Sequence, residues 1–117
     1  LKDNVMANDF KNAHKQNITT ITDVYEAPVG PPGKTSIVLE MDVANTTNTL
    51  TTVSVQVTDA DNSDTQTYLV RNAPLPTGGT LQVVSGQKVI LEAGDKIQVT
   101  AAGAVDVAAA VLEDVNT

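Results

Sequence analysis

Three aspartates in the polar stretch Asp59-Ala-Asp-Asn-Ser-Asp64 have the spacing most suited to chemistry in this chain. Calcium takes several oxygen ligands from a flexible loop, and alternating acidic and hydroxyl side chains are typical of the start of such a loop. The pattern then departs from a calcium loop, because Asp64 stands where glycine is expected and Val70 where a bidentate glutamate is expected. We therefore predict a solvated hairpin tip, with Asp59, Asp61 and Asp64 as the alternative, candidate metal ligands.

Side chains for nucleophilic or zinc chemistry are scarce. His14 is the single histidine, and the chain has no cysteine. A catalytic triad or a zinc site needs an imidazole that the surrounding structure holds, whereas His14 lies in a polar N-terminal stretch. Sugar hydrolysis by paired carboxylates would need an aromatic-lined cleft, and the aromatic residues are Phe10, Tyr25 and Tyr68 alone. We expect a protein that is not an enzyme and uses no cofactor.

The segment from Leu91 to Ile97, LEAGDKI, is similar to a turn of the cupin barrels. Cupin metal chemistry needs a histidine-rich strand, which this sequence lacks. The physical interpretation is a turn in which Gly94 takes a left-handed conformation and Asp95 bonds to the local backbone.

The balance of charge bears on the class of partner. Fourteen Asp and Glu against seven Lys and Arg give a formal net charge of −7. Binding to a phosphate backbone would meet net repulsion, and an anionic membrane surface is disfavoured for the same reason. No apolar run approaches the roughly 20 residues of a membrane span. We predict neither a nucleic acid nor a membrane as partner.

Turn signals recur along the chain from Ile18 onward, with short stretches rich in Val, Ile and Thr between them. No helix-length periodic segment separates these stretches, which excludes a parallel βαβ sheet. The pattern predicts an all-β domain over residues 18–117: an antiparallel β-sandwich, jelly-roll-like, of about eight strands. The predicted strands are Ile18–Glu26, Lys34–Ala44, Thr51–Thr58, Thr65–Arg71, Thr80–Val84, Lys88–Leu91, Lys96–Ala101 and Ala104–Glu113, with Gly86 and Gly94 at turns.

Alternation within two strands predicts their buried faces and their pairing. We expect Lys34–Ala44 and Thr51–Thr58 to form a hairpin with one buried face and one wet face. In the first strand one side is predicted to carry Ile37, Leu39, Met41 and Val43, and the other side Val38, Glu40 and Asp42. In the second strand the residues predicted to point inward are Val53, Val55 and Val57, and those predicted to point outward are Ser54, Gln56 and Thr58.

Residues 1–17 are polar and rich in Asn and Lys, unlike the rest of the chain. We predict an N-terminal arm, in which Val5, Met6 and Phe10 are candidate anchors for a partner. A helical turn would place Met6 and Phe10, at i and i+4, on one face. An isolated helix of this length is marginal in water, so docking would have to supply the order.

The last strand has apolar side chains on both of its faces. Val105, Val107, Ala109 and Val111 alternate with Asp106, Ala108, Ala110 and Leu112. We expect the strand to be central or to lie against a partner, which makes Ala108, Ala110 and Leu112 candidate partner-binding residues.

The order of segments from Ile18 to Asp114 resembles that of small virion structural proteins of tailed bacteriophages, of the capsid decoration (cement) and tail-accessory type. The segments that carry the resemblance are DVYEAP (23–28), GKTSIVL (33–39), DVANTT (42–47), VSVQVT (53–58), YLVRNAPLP (68–76), VILEAGDKI (89–97) and VDVAAAVLE (105–113).

This resemblance implies a non-enzymatic β-sandwich, often trimeric, that binds the major capsid protein or other virion proteins. We therefore expect a decoration (cement) subunit at the capsid surface of the virion. The alternative is a tail or fibre accessory module that binds a host-surface glycan through the loops Asp59–Asp64 or Ala27–Gly33.

Overall fold

Eight strands and a short 3₁₀ turn (Ala60–Asn62) make up residues 8–114, the part of the chain that the computed structural model describes. No helix in this part is long and apolar enough to cross a membrane. The strands are β1 (Asn8–Ile18), β2 (Thr22–Glu26), β3 (Thr35–Asn45), β4 (Thr51–Asp59), β5 (Thr65–Leu75), β6 (Thr80–Leu91), β7 (Lys96–Ala101) and β8 (Val105–Asp114).

The strands form two antiparallel sheets of four. The first sheet has the order β1-β8-β3-β6, and the second has the order β2-β7-β4-β5. Successive strands alternate between the sheets at every connection except the β4–β5 hairpin, so the chain winds around the core in a jelly-roll-like manner. The predicted all-β antiparallel sandwich is confirmed.

Small aliphatic side chains fill the space between the sheets. Val dominates, since a β-branched side chain packs well on a pleated surface, and the largest fully buried side chain is Met41. Tyr25 packs partly buried at the margin of this cluster. The buried apolar residues are Ala13, Ile18, Val24, Ala27, Val38, Met41, Val43, Val53, Val55, Leu75, Val84, Leu91, Ile97, Val99, Ala101, Val105, Val107, Ala109 and Val111.

The predicted hairpin between the strands now identified as β3 and β4 is wrong. These strands lie in different sheets, and residues 46–50 carry the chain across the end of the sandwich. Asn45 is buried there, and its Nδ2 donates to the carbonyl oxygens of Thr49 (2.8 Å) and Leu75 (2.9 Å). Both strands bury one face against the opposite sheet, which produces the same alternation as a hairpin would. The wet face predicted for β4 is also wrong, because Ser54, Gln56 and Thr58 are buried on this central strand of the second sheet.

An irregularity between Val38 and Glu40 alters the predicted faces of β3. The register passes from Val38↔Val89 to Glu40↔Ser85 against β6, and from Val38↔Val111 to Glu40↔Ala110 against β8. The extra residue of β3 opposite β8 is a β-bulge, and it changes which residues of β3 point inward. Val38 is buried in the core, whereas Ile37, predicted to share the face of Met41, lies on the outer side.

Gly86 lies within the same irregularity on β6, with φ of +83°. The turn predicted there is wrong, because the segments Thr80–Val84 and Lys88–Leu91 form a single strand through the bulge. An extra residue with positive φ inside a strand is where glycine is least costly.

The segment predicted as an arm is a strand from Asn8 onward. β1 forms an edge of the first sheet, with Ala13 opposite Ala109, and Ala13 and Ile18 reach the core. An edge strand exposes more of its length to water, so its composition resembles that of a polar tail. Val5 and Met6 lie outside the described residues.

Asp95 ties together three loops at one end of the sandwich. Its buried carboxylate accepts the backbone amides of Ala60 (Oδ1, 2.9 Å) and Glu92 (Oδ2, 2.9 Å), and its carbonyl oxygen accepts the amide of Ala27 (2.9 Å). Gly94 has φ of +87°, and a Cβ at this position would lie 3.0 Å from the Cβ of Ala60. The predicted backbone role of the Gly94–Asp95 pair is confirmed.

Replacing Asp95 with Ala should lower the free energy of unfolding by about 2–4 kcal/mol, because two part-buried amides lose a charged acceptor. Urea unfolding followed by circular dichroism measures this. Asp61→Ala is the matched control at an exposed aspartate of the neighbouring turn and should change stability by less than about 0.5 kcal/mol. Equal losses in the two variants would contradict the role given to Asp95.

A second polar cluster joins the two sheets near the end of β8. The Tyr25 hydroxyl on β2 donates to Oε2 of Glu113 and lies 2.8 Å from the Ser36 hydroxyl on β3. Glu113 is buried, and Lys34 Nζ lies 3.7 Å from its Oε1. Burial, together with the hydrogen bond to the Glu113 carboxylate, raises the pKa of the Tyr25 phenol above its usual value.

Because of this pKa shift, the free energy of unfolding depends on pH in the alkaline range. Because the folded-state pKa of Tyr25 is above the ~10 of an unperturbed tyrosine, its stabilising effect is complete below about pH 10 and is lost as the pH rises further. In a Tyr68→Phe variant Tyr25 is the remaining tyrosine, so ultraviolet absorbance reports it alone. We expect ionisation in the folded protein at distinctly higher pH than in urea; coincident titrations would contradict the buried hydrogen bond.

Candidate functional site

Four apolar side chains form a row across the outer face of the first sheet. Phe10 pairs with Leu112, Leu112 with Ile37, and Ile37 with Ile90, so the row crosses all four strands. Directly opposed residues share a face of the sheet. Phe10 is 72% exposed and Ile90 65%, while the two central residues are half-buried. We call Phe10, Leu112, Ile37 and Ile90 the apolar row.

A shallow groove lies beside the apolar row on the same face. Its floor is made by small residues of β8, and its sides are polar residues of β1 and β3. Its volume is about 200 Å³. The groove, which we call the alanine groove, is lined by Asn12, His14, Glu40, Asp42, Ala108, Ala109 and Ala110.

The register explains how the groove arises. Ala110 lies between Asn12 and Glu40 in one row, and Ala108 lies between His14 and Asp42 in the next. Alanine side chains on the central strand leave space that the longer side chains on both neighbouring strands enclose. The geometry therefore follows from the small outward residues of β8.

Asp42 has an unsatisfied oxygen in this groove. Its Oδ1 is buried, and no donor among the described residues lies within hydrogen-bond distance. A buried acceptor without a partner is disfavoured by about 1–3 kcal/mol. A donor from outside would remove this penalty once the carboxylate turns toward the groove.

The outer face of the second sheet has a different character. There Gln56 donates to Gln98 (2.7 Å), and Gln98 donates to Asp23 (2.7 Å), in a chain of side-chain hydrogen bonds across three strands. Lys96 adds an ion pair to Asp23 at 3.8 Å. These polar groups bond to one another, whereas the apolar row has no polar groups to satisfy.

The structure brings together four of the six predicted partner-binding residues. Phe10, Ala108, Ala110 and Leu112 lie on one face, and Val5 and Met6 lie outside the described residues. The expectation of a central last strand is confirmed, because β8 lies between β1 and β3.

Sequence reasoning missed Ile37 and Ile90, which complete the apolar row. The sequence groups Ile37 with Met41 because a bulge leaves no local signal, and it predicts no face for Ile90. The cross-strand register that unites them with Phe10 is long-range information, for which the local sequence holds no signal.

The aspartate loop is a capped turn at the tip of the β4–β5 hairpin. The Asp59 side chain accepts the amide of Asp61 (3.2 Å), and its carbonyl oxygen accepts the amide of Asp64 (2.8 Å). Nowhere in residues 8–114 do three His, Cys, Asp or Glu side chains converge to hold a metal ion. His14 is exposed on β1, at the side of the alanine groove.

Substitutions at two neighbouring residues of β6 test whether the side chains of the apolar row are free of a role in stabilising the fold. Ile90→Thr should change the free energy of unfolding by less than about 0.5–1 kcal/mol, since the side chain is exposed and the substitute keeps β-branching. Leu91→Ala, at a residue that is 1% exposed, should lower it by about 2–5 kcal/mol. Urea unfolding measures both values, and a large loss at Ile90 would show that it supports the fold.

Comparison with known proteins finds similarity in fold. No family model matches the chain, and no curated protein matches it. Among solved structures it is similar to a mutant VP2 protein of infectious bursal disease virus, in derived T=1 particles, with a TM-score of 0.54 and 8% sequence identity. The match covers 91% of this chain and 31% of that protein, so the chain spans about a third of its length. At this identity the comparison shows a shared β-sandwich fold.

Proposed function

We propose that the chain is a non-enzymatic virion structural protein, a capsid decoration (cement) subunit that stabilises a phage head through protein–protein contacts. The observation that carries the proposal is the exposed apolar row on the outer face of the first sheet. A fold shared with a VP2 protein found in derived T=1 particles supports it. The proposed partners are the major capsid protein or other virion proteins, and the proposed place is the capsid surface.

The apolar row has the size of an interface centre. A buried aromatic side chain such as Phe10 removes roughly 150–250 Å² from water, and apolar burial contributes about 25 cal/mol per Å². Phe10 and the three aliphatic side chains of the row would together contribute several kcal/mol before the costs of association are subtracted. A stable interface buries about 800 Å² per partner, so the row would be its centre and the alanine groove part of the surrounding contact.

An assembly role also fits the chemistry that the described residues provide. Among the described residues His14 makes no hydrogen bond with Asp42, which lies across Ala108 from it, and the Asp59 carboxylate is used to cap a turn. A site for acid–base or nucleophilic chemistry needs groups that converge on one point. A contact surface needs an apolar centre on a rigid support, and an antiparallel ladder of four strands supplies that support.

The test is to locate the protein in purified particles and to disrupt its row. Phe10→Ser should reduce association with particles at least tenfold, because an interface anchor is lost, while Leu50→Ser should leave it unchanged. Leu50 is a matched control, since it is 64% exposed in the β3–β4 loop and outside the row. Mass spectrometry of sedimented particles measures both. Full association of Phe10→Ser would overturn the role of the row.

Self-association belongs to the same proposal. The subunit is proposed to be a homo-oligomer, with a trimer favoured by the family resemblance. Light scattering on the isolated protein measures its mass directly. A monomeric protein that still binds particles would contradict the proposed trimer and would leave the proposed decoration role standing.

A tail or fibre module that binds a host-surface glycan is the second candidate. The observation in its favour is that both loops assigned to it lie at the same end of the sandwich, where a Cβ on Gly94 would contact Ala60 and Val29. Val29 is exposed there. Binding to host cells that persists in Phe10→Ser and is lost when these loops are changed would favour this candidate.

A further inference from the structure

We propose that the partner surface covering the apolar row is basic, and that it places a lysine or arginine side chain in the alanine groove beside Glu40 and Asp42. This inference rests on the proposed function and names the chemistry of the partner. The proposed occupant of the apolar row and the alanine groove is a different protein, whose contact surface combines apolar and cationic side chains.

Charge complementarity carries the first step. In the three cross-strand rows that follow the apolar row, the carboxylates are Glu40, Asp42 and Asp106. Lys15 lies near Asp106, and no Lys or Arg is paired within the rows of Glu40 and Asp42. Within the described residues no Lys or Arg forms an ion pair with Glu40 or Asp42. The face is therefore apolar at one end and acidic beside it, and a complementary surface is apolar and basic.

The open acceptor of Asp42 carries the second step. Asp42 lines a groove of about 200 Å³, and its buried Oδ1 has no donor until the carboxylate turns toward that groove. The ammonium of Lys or the guanidinium of Arg supplies donors and no acceptors, so either satisfies this oxygen without leaving an unpaired acceptor of its own. Such charge-assisted hydrogen bonds are about twice as strong as neutral ones.

The alanine floor fits the same type of side chain. Lys and Arg bury an aliphatic stem along apolar surface while the charged head reaches a polar partner. Ala108 and Ala110 offer apolar surface for the stem, and Glu40 and Asp42 stand beside it for the head. An acidic side chain from a partner would instead meet like charge at the same place.

The same charges argue against a second copy as the occupant. Two copies that met through this face would bring together the carboxylates of Glu40, Asp42 and Asp106, in a chain whose net charge is −7. Like charges opposed in an interface are unfavourable by several kcal/mol. Proposed trimer contacts therefore belong to other surfaces of the subunit.

Three synthetic peptides serve as probes of the full-length protein. One alternates leucine and arginine, one leucine and glutamate, and one serine and arginine. NMR titration at low salt should show the leucine–arginine peptide shifting the amide signals of Ala108, Ala110 and Leu112, with the other two peptides binding at least about tenfold more weakly.

Two double variants separate the groove from general electrostatics. Glu40→Gln/Asp42→Asn should weaken the leucine–arginine peptide at least about tenfold, while Asp61→Asn/Asp64→Asn, which removes the same charge at an exposed turn, should change it less than about twofold. Equal weakening in the two variants, equal affinity for the glutamate peptide, or signal shifts away from β8 would each overturn the proposal.

The particle assay distinguishes failure of this inference from failure of the proposed function. If Glu40→Gln/Asp42→Asn associates with particles fully while Phe10→Ser does not, the basic partner is wrong and the decoration role remains. If Phe10→Ser also associates fully, the apolar row is not the contact and the proposed function loses its main support. Self-association that disappears in Phe10→Ser would show that the occupant is a second copy.

Discussion

The double pairing of β8 is the interaction on which the first sheet depends. This strand forms one ladder with β1 and another with β3, and it is the link between them, since the sheet order is β1-β8-β3-β6. Asn8 thus finds its partner Asp114 at the far end of the described chain. Such long-range pairing closes a large loop, and its entropy must be offset by the core that β8 helps to enclose.

The two faces of β8 divide the work between fold and surface. Val105, Val107 and Val111 point into the core, where their burial stabilises the sandwich. Ala108 and Ala110 point outward and are too small to fill the space between the neighbouring strands. The alternation of one strand therefore produces both the packed interior and the groove on the outer face.

Polar groups at the margins of the core compensate for its lack of large aromatic side chains. Asp95 holds the loops at one end, Asn45 holds the β3–β4 connection at the other, and the hydrogen bonds of Tyr25 with Ser36 and Glu113 join the sheets. Valine packing alone is tolerant of sliding, whereas buried hydrogen bonds must be satisfied in one arrangement. These ties give a small-residue core its fixed geometry, and hence fix the outer face.

Much of the fold was predictable, because alternation reports which side of a strand is buried. Alternation does not report what covers the buried side. It therefore predicts a hairpin of β3 and β4, although the two strands lie in different sheets. A bulge also changes alternation without changing composition, which hid the outward position of Ile37. The sequence of residues 1–17 predicts an arm because an edge strand is polar, and from Asn8 onward only the pairing with β8 shows that this segment belongs to the sheet.

The surface residues that could be predicted are likewise those whose signal lies within the sequence of one strand. Ala108, Ala110 and Leu112 were identified because apolar residues on the outward side of an alternating strand have no use in a solvated sheet. The role of Glu40 and Asp42 could not be predicted from the sequence, because only the strand register places these two acids next to those alanines. An apolar surface alone would accept many partners, a second copy among them. Adjacent carboxylates disfavour that copy and favour a cation, so one pair of residues both excludes a wrong partner and selects the right one.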